Sequence, residues 1–197
     1  MLRKQLWPAI MLTFVLMIIT GFVYPGVVTG LAQLLFPRQA NGSLVVDANG
    51  QVVGSALIGQ SFARPEYFHS RPSAAGAGYD DTLSGGTNKG PTDTKLADTL
   101  IAQAIESVVA HDSAVKGQIP SDIVTSSGSG LDPHISPAAA ALQVARVARV
   151  RGVPLARVQT LVAAHTDGRQ FGLLGEARVN VLALNLALDS VAPMKAK

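Results

Sequence analysis

The sequence predicts an α+β domain carried on a single N-terminal transmembrane helix, and three observations predict it. A long apolar run follows a short basic start. An Asn-Gly pair sits between two β-branched segments. Later stretches repeat apolar residues at helical spacing or open with a cap followed by proline.

The anchor comes first. Arg3 and Lys4 are followed by no charged residue until Arg38, and no acidic residue occurs before Asp47. Residues 7–28 supply the roughly 20 apolar positions that a hydrocarbon core of about 30 Å requires. Trp7 and Tyr24 suit the two interfaces. Pro8 is tolerated in a first turn, whereas Pro25 is expected to kink or end the span. The apolar text resumes to Phe36, so a helix can continue past the membrane. The run exceeds the roughly 7–15 residues of a signal-peptide core, and no A-x-A site follows it. With Arg3, Lys4 and the amino terminus before the span and only Arg38 close behind, the positive-inside rule places the N-terminus in the cytoplasm. The domain then faces the periplasm. The expected organisation is an anchor over 1–36, a linker over 37–43 and a periplasmic α+β domain over 44–197.

In that domain, Leu44-Val45-Val46 and Gln51-Val52-Val53 flank Asp47-Ala48-Asn49-Gly50, a β-hairpin signal because Asn and Gly accept positive φ. Ala56-Leu57-Ile58 is expected to extend that sheet or add to it. Residues 59–93 are rich in Gly, Pro and Ser and show neither period, but Phe62, Tyr67, Phe68 and Tyr79 can pin them down. From Thr94 to His111, Leu96, Leu100, Ala104, Ile105, Val108 and Val109 form one helical stripe, with Asp93 or Thr94 as cap. A short strand is expected within residues 119–126. Ser136-Pro137 opens a helix running to about Arg151 and ending at Gly152; Pro154 opens another, with Leu155, Val158, Leu161 and Val162 on one face. Asp167-Gly168 reads as a turn. Residues 179–188 alternate Leu like a strand, but their Ala and Leu content and length favour a helix.

Composition narrows the function. The chain has 197 residues, 48% hydrophobic and 15% charged, with a net charge of +3, too weakly basic and too poor in Lys/Arg runs to indicate nucleic acid. It contains no cysteine, which removes disulfides and thiol chemistry. None of His69, His111, His134 and His165 has a ligand partner at metal-binding spacing, so no metal is expected. His165 is placed to close a helix C-terminus. Arg146 and Arg149 read as a solvated face, or as an interface with an acidic partner. Asn180 and Asn185, in apolar text, read as satisfying buried backbone groups.

Two polar segments remain. Leu83-Ser84-Gly85-Gly86-Thr87-Asn88-Lys89 could cradle a phosphate through backbone N–H groups and Lys89, giving Ser84, Gly85, Gly86, Thr87 and Lys89 as candidate nucleotide contacts. The same text also reads as a glycine-rich surface turn or a partner contact. No G-x-x-x-x-G-K-[ST] loop accompanies it. Ser126-Ser127-Gly128-Ser129-Gly130-Leu131-Asp132-Pro133-His134 contains Ser, Asp and His. However, Gly128-Ser129-Gly130 lacks the G-x-S-x-G spacing of a nucleophile elbow, and Asp132 and His134 are too close for separate triad roles. A turn and helix cap is the expected local role, compatible with a docking loop.

These motifs together resemble the C subunit of the bacterial Kdp potassium-transporting P-type ATPase, the KdpC family. The resemblance runs nearly end to end. It comprises the span ending in Tyr24-Pro25, Gly59-Gln60-Ser61-Phe62, Tyr67-Phe68-His69-Ser70-Arg71-Pro72-Ser73-Ala74, Ser84-Gly85-Gly86-Thr87-Asn88, the run from Val124 to Ser136, Gly175-Glu176 and Val179-Asn180-Val181-Leu182-Ala183-Leu184-Asn185. Thr87 and Lys89 depart from the more usual pattern. The resemblance implies a non-catalytic accessory subunit of the bacterial inner membrane. The implied partners are a channel-like potassium-selecting subunit, the P-type ATPase subunit, a small single-helix subunit and the lipid bilayer. It also implies a catalytic chaperone that raises the ATP affinity of the ATPase subunit and stabilises the assembly. ATP is then bound by or with that subunit, and the chain has no cofactor of its own. Docking positions are expected in these motifs at Tyr67, Phe68, Arg71, Ser127, Ser129, Asp132 and His134. Because the charge bias puts the domain outside, any effect on cytoplasmic ATP is expected to travel through subunit contacts. Direct ATP contact through residues 83–89 is the alternative.

Overall fold

The computed structural model describes residues 2–47 and 50–193. The chain divides into two compact units, residues 1–53 and 54–197.

In the first unit, α1 (Leu2–Ile18) passes through a five-residue π-helical segment (Ile19–Val23) into α2 (Tyr24–Leu35). Arg3–Leu35 is thus one 33-residue helix, long and apolar enough to cross a membrane. At 1.5 Å per residue it is about 50 Å long, so it outruns a core of about 30 Å. Pro25 neither ends nor interrupts it. A proline ring crowds the carbonyl four residues back and offers no N–H to it. The backbone meets this by widening just before Pro25, where the Tyr24 N–H reaches the Ile19 carbonyl. The expected linker is partly ordered: α3 (Pro37–Ala40) is one helical turn, and the Asn41 amide bonds both the Gln33 side chain and the Pro37 carbonyl. Then β1 (Leu44–Val46) pairs with β2 (Val52–Ser55) as a two-stranded hairpin. Ala48 and Asn49 of its expected turn lie outside the described residues. Ala56-Leu57-Ile58 does not extend the sheet; it forms a turn in which the Ser55 hydroxyl takes the Leu57 N–H.

The second unit packs helices around a small antiparallel sheet. The helix that begins at Lys95 is π-helical to Ile101 and becomes α4 (Ala102–Asp112), with the Asp93 carboxylate accepting the Leu96 N–H. The wide turns shift the apolar stripe, so Leu100 is exposed while Ile101, Ala104, Ile105 and Val108 meet the core. The expected strand over 119–126 is instead a 3₁₀ turn (Ser121–Ile123). The Asp122 carboxylate accepts the N–H and hydroxyl of Ser136, which ties this turn to the start of the next helix. After β3 (His134–Ile135), Ser136 caps α5 (Pro137–Arg151) by accepting the Ala139 N–H, and Gly152 closes it at φ 65°. The helix α6 (Leu155–Ala164) buries Val158 and Val162 but leaves Leu155 exposed, and His165 donates from Nδ1 to the Leu161 carbonyl at its C-terminus. Asp167 belongs to β4 (Thr166–Asp167) rather than to a turn. It pairs with Arg178 of β5 (Arg178–Asn180), which runs between β3 and β4. The ambiguous segment divides: Val179 and Asn180 finish β5, and α7 (Val181–Val191) follows, capped by the Asn180 side chain. Phe68, Ile135, Val147, Val179, Leu184 and Leu188 form the centre of the core.

Candidate functional site

The irregular segment 59–93 is held by buried polar side chains from the helices. An extended backbone without ladder partners must pair its N–H and C=O groups some other way. Asn185 of α7 does this for Phe68, accepting its N–H at 2.9 Å and donating to its carbonyl at 3.0 Å. Gln143 of α5 does the same for His69, at 2.7 Å and 3.2 Å. Arg146 donates to the carbonyls of Pro65 and Tyr67 and pairs with Asp112 at 2.7 Å. It is only 3% exposed, so the expected solvated face is corrected for this residue. Arg151 reaches the Glu66 carbonyl and the Asp189 carboxylate and lies over the Tyr67 ring. Phe68 is fully buried and presents no surface to a partner, contrary to its expected docking role. Tyr67 is half-buried, its hydroxyl on Asp189 at 3.1 Å; burial, then that carboxylate, raise its pKa.

Three of the expected docking residues come together at the sheet's edge. The Arg71 guanidinium bonds Asp132 at 2.9 Å, and the other Asp132 oxygen accepts the backbone N–H of His134 at 3.0 Å, with its ring nitrogen at 3.5 Å. The His134 side chain and backbone, with Arg71, hold the Asp132 carboxyl below its ordinary value despite partial desolvation. These groups open onto a cleft of about 420 Å³ that also includes Asp122, Glu176 and Arg178. Its mixture of three carboxylates, two guanidiniums and an imidazole suits polar contact with another protein surface more than a single small ion. Ser127 and Ser129 do not join the cluster; their hydroxyls accept the N–H groups of Gly130 and Leu131 and build the turn. Ser129 and His134 are not hydrogen-bonded to each other, so a Ser–His nucleophile has no support.

The 83–89 segment is docked on that same turn. The Gly85 N–H and the Ser84 hydroxyl both donate to the Ser129 carbonyl, at 2.8 and 3.0 Å. Gly130, at φ +67°, lets the two backbones approach: a Cβ there would sit 2.5 Å from the Gly85 carbonyl. Lys89 is turned to Asp93, at 2.8 Å. Ser84 and Gly85 therefore each place a donor on Ser129, and Lys89 places one of its three on Asp93. Gly86 lies against Ser127 and Gly128, beside Thr87.

Sequence reasoning missed a second cleft, of about 340 Å³, between residues 61–79 and α4. His69 and His111 meet there edge to face, ring centres 6.0 Å apart. His111 donates from Nδ1 to the Ser107 carbonyl and His69 from Nε2 to the Arg64 carbonyl. Burial, then the nearby Arg146 charge, lower the His69 pKa below 6.5. No sequence signal could have joined two histidines on separate elements.

The comparisons agree with the layout. Residues 6–190 match the KdpC family, described as "K+-transporting ATPase, c chain". A potassium-transporting ATPase KdpC subunit from Gemmatimonas aurantiaca is 63% identical over 192 residues, covering 97% of this chain and 95% of that one. Those of Myxococcus xanthus and Geobacter sulfurreducens are 59% and 52% identical, covering 89% and 96% of this chain and 82% and 100% of theirs. The match takes in most of the apolar helix, the 59–93 segment, the Arg71–Asp132–His134 cluster and nearly all of α7 in a single stretch, and the chain belongs to the KdpC family, the c chain of K+-transporting ATPases.

Proposed function

We propose that the chain is a non-catalytic accessory subunit of an ATP-driven potassium uptake complex, anchored in the bacterial inner membrane with its N-terminus cytoplasmic and its α+β domain periplasmic. Its partners are the channel-like potassium-selecting subunit, the P-type ATPase subunit and the small single-helix subunit. It stabilises their assembly and raises the ATP affinity of the ATPase subunit as a catalytic chaperone, through subunit contacts and with no cofactor of its own. The observation that carries this reading is the commitment of Ser84, Gly85 and Lys89 to Ser129 and Asp93, which favours a rigid docking surface over a nucleotide cradle. The charge bias around the apolar helix supports the orientation.

Topology tests it. The chain lacks cysteine, so Gln103→Cys, on the exposed side of α4, introduces a unique thiol. A membrane-impermeant maleimide is expected to label it in intact cells. Labelling only after lysis would overturn the orientation and revive direct ATP contact by residues 83–89. In that event Lys89→Ala would reduce ATP photolabelling of the complex, whereas our reading expects no change.

A further inference from the structure

Two imidazoles meet where the irregular segment crosses α4, and neither belongs to the docking cluster. His69 donates from Nε2 to the Arg64 carbonyl, and His111 from Nδ1 to the Ser107 carbonyl. Each neutral ring thus places its one N–H on a backbone carbonyl of its own element, which leaves Nδ1 of His69 and Nε2 of His111 as bare acceptors. Among the described residues neither of these two nitrogens has a hydrogen-bond partner. The rings stand edge to face, centres 6.0 Å apart, on the wall of the cleft of about 340 Å³. The charges that act on the His69 ring come from both helices around it: His111 and Asp112 of α4, and Arg146 of α5. On its own segment, the Arg64 side chain is held by Glu66, the Arg71 guanidinium by Asp132, and the Tyr79 hydroxyl by the Arg71 carbonyl. Asp112, the carboxylate facing the ring, already pairs with Arg146 at 2.7 Å.

A proton added at Nδ1 of His69 therefore brings a cation beside Arg146 and a donor that has no protein acceptor. The position is a sensitive one. Arg146 donates to the carbonyls of Pro65 and Tyr67, and Gln143 bonds both backbone groups of His69. The guanidinium that a charged ring repels is the one that straps this segment to the helices. Two residues further on, Arg71 reaches across to Asp132 and the Thr125 carbonyl. We propose that the His69–His111 contact is an acid-sensitive latch: protonation there frees the 61–79 segment from α4 and, through Arg71, slackens the Arg71–Asp132–His134 docking cluster, so that acid outside the cell loosens this subunit from its assembly. The last step rests on the orientation and assembly reading above. Burial and Arg146, which hold the His69 pKa below 6.5, keep the latch closed at neutral pH.

The test takes two measurements on the full chain. Ala63→Cys on the segment and Gln103→Cys on α4, both exposed, carry nitroxide labels in detergent, and pulsed electron paramagnetic resonance reads their separation at about pH 7.5 and about pH 5.5. One short separation is expected at the higher pH. In acid a second, longer one should appear, its share rising by up to about tenfold per pH unit for each proton taken up. His69→Gln keeps a donor for the Arg64 carbonyl and His111→Asn one for the Ser107 carbonyl, yet neither new side chain takes up a proton. The double variant should lose the shift. A wild-type separation unchanged in acid, or one that lengthens equally in the double variant, overturns the proposal, since the change would then belong to another group such as His134. If the double variant is already open at the higher pH, His111→Asn alone must reduce the acid shift; an undiminished shift overturns the latch. Recovery of the partner subunits by the tagged chain should fall about tenfold between the two pH values in wild type and hold steady in the double variant. Recovery that holds while the separation lengthens overturns the coupling to docking. Should the chain recover no transport subunit even at the higher pH, the assembly reading fails, and the label separation still decides the latch by itself.

Discussion

Asn185→Leu tests whether side-chain amides hold the irregular segment in place. Asn185 is 1% exposed and serves both polar groups of the Phe68 backbone. Leucine keeps the number and branching of the side-chain heavy atoms but has no polar atom, so the substitution leaves one N–H and one C=O buried without partners. Each such group costs about 1–3 kcal/mol. The more apolar side chain returns about 1–2 kcal/mol through burial, for a net loss of roughly 2–4 kcal/mol. In a chain of this size that is a fall in melting temperature of roughly 5–15 °C. Asn185→Asp should do no better: it keeps the acceptor, loses the donor to the Phe68 carbonyl and brings a charge into a dry site. The assay is thermal unfolding of the full chain in detergent, followed by far-ultraviolet circular dichroism. Asn185→Leu within about 0.5 kcal/mol of wild type would refute the reasoning, since Phe68 would then have no need of the amide.

Arg146→Ala should cost about 3–5 kcal/mol, because it abandons Asp112 and the carbonyls of Pro65 and Tyr67 in the interior; pairing Arg146→Met with Asp112→Leu should recover part of that loss in a double-mutant cycle. His69, packed against His111 and facing Arg146 and Asp112, has a folded pKa below 6.5. The contribution of its neutral ring is fully present above 6.5 and is lost as pH falls from there through the lower folded value, because the unfolded chain binds the proton first. His69→Asn should therefore reduce the loss of melting temperature between about pH 7.5 and about pH 5.5. Gly130→Ala places a methyl 2.5 Å from the Gly85 carbonyl and 2.7 Å from the Ala75 nitrogen at a positive φ, so it should part the 83–89 segment from its seat and speed proteolytic cleavage there.

What could be read from the sequence was what depends on neighbours along the chain. The apolar run, the Ser136-Pro137 start and Gly152 stop of α5, and the polar role of Asn180 and Asn185 follow from local spacing, and the structure carries each of them. Three of the misreadings share one cause, a partner outside the segment. Residues 119–126 look like a strand until Asp122 is found bonded to Ser136. Arg146 looks solvated until Asp112 and two carbonyls of the 59–93 segment are set against it. Asp167 looks like a turn until Arg178 lies opposite it in the sheet. At the candidate site, Asp132 and His134 meet locally, two residues apart, but the approach of Arg71 depends on a crossing that no spacing encodes.

The burial of Gln143, Arg146 and Asn185 also bears on what the domain is for. The aromatic residues of the 59–93 segment hold it to the core but leave its backbone N–H and C=O groups to be paired. Pairing its backbone with buried amides and guanidiniums adds desolvation costs that an apolar core would avoid. What the arrangement provides is a single conformation for a segment with no regular structure. A surface already fixed before contact loses little entropy on binding. The same economy recurs between β4 and β5, where the N–H groups of Gln170 and Leu174 bond each other's carbonyls, and in the seating of Gly85 on Ser129. Segments 83–89, 126–130 and 169–174, drawn from separate parts of the chain, are thus each tied down by hydrogen bonds. A subunit that must meet large neighbours in one orientation is served by surfaces fixed in this way.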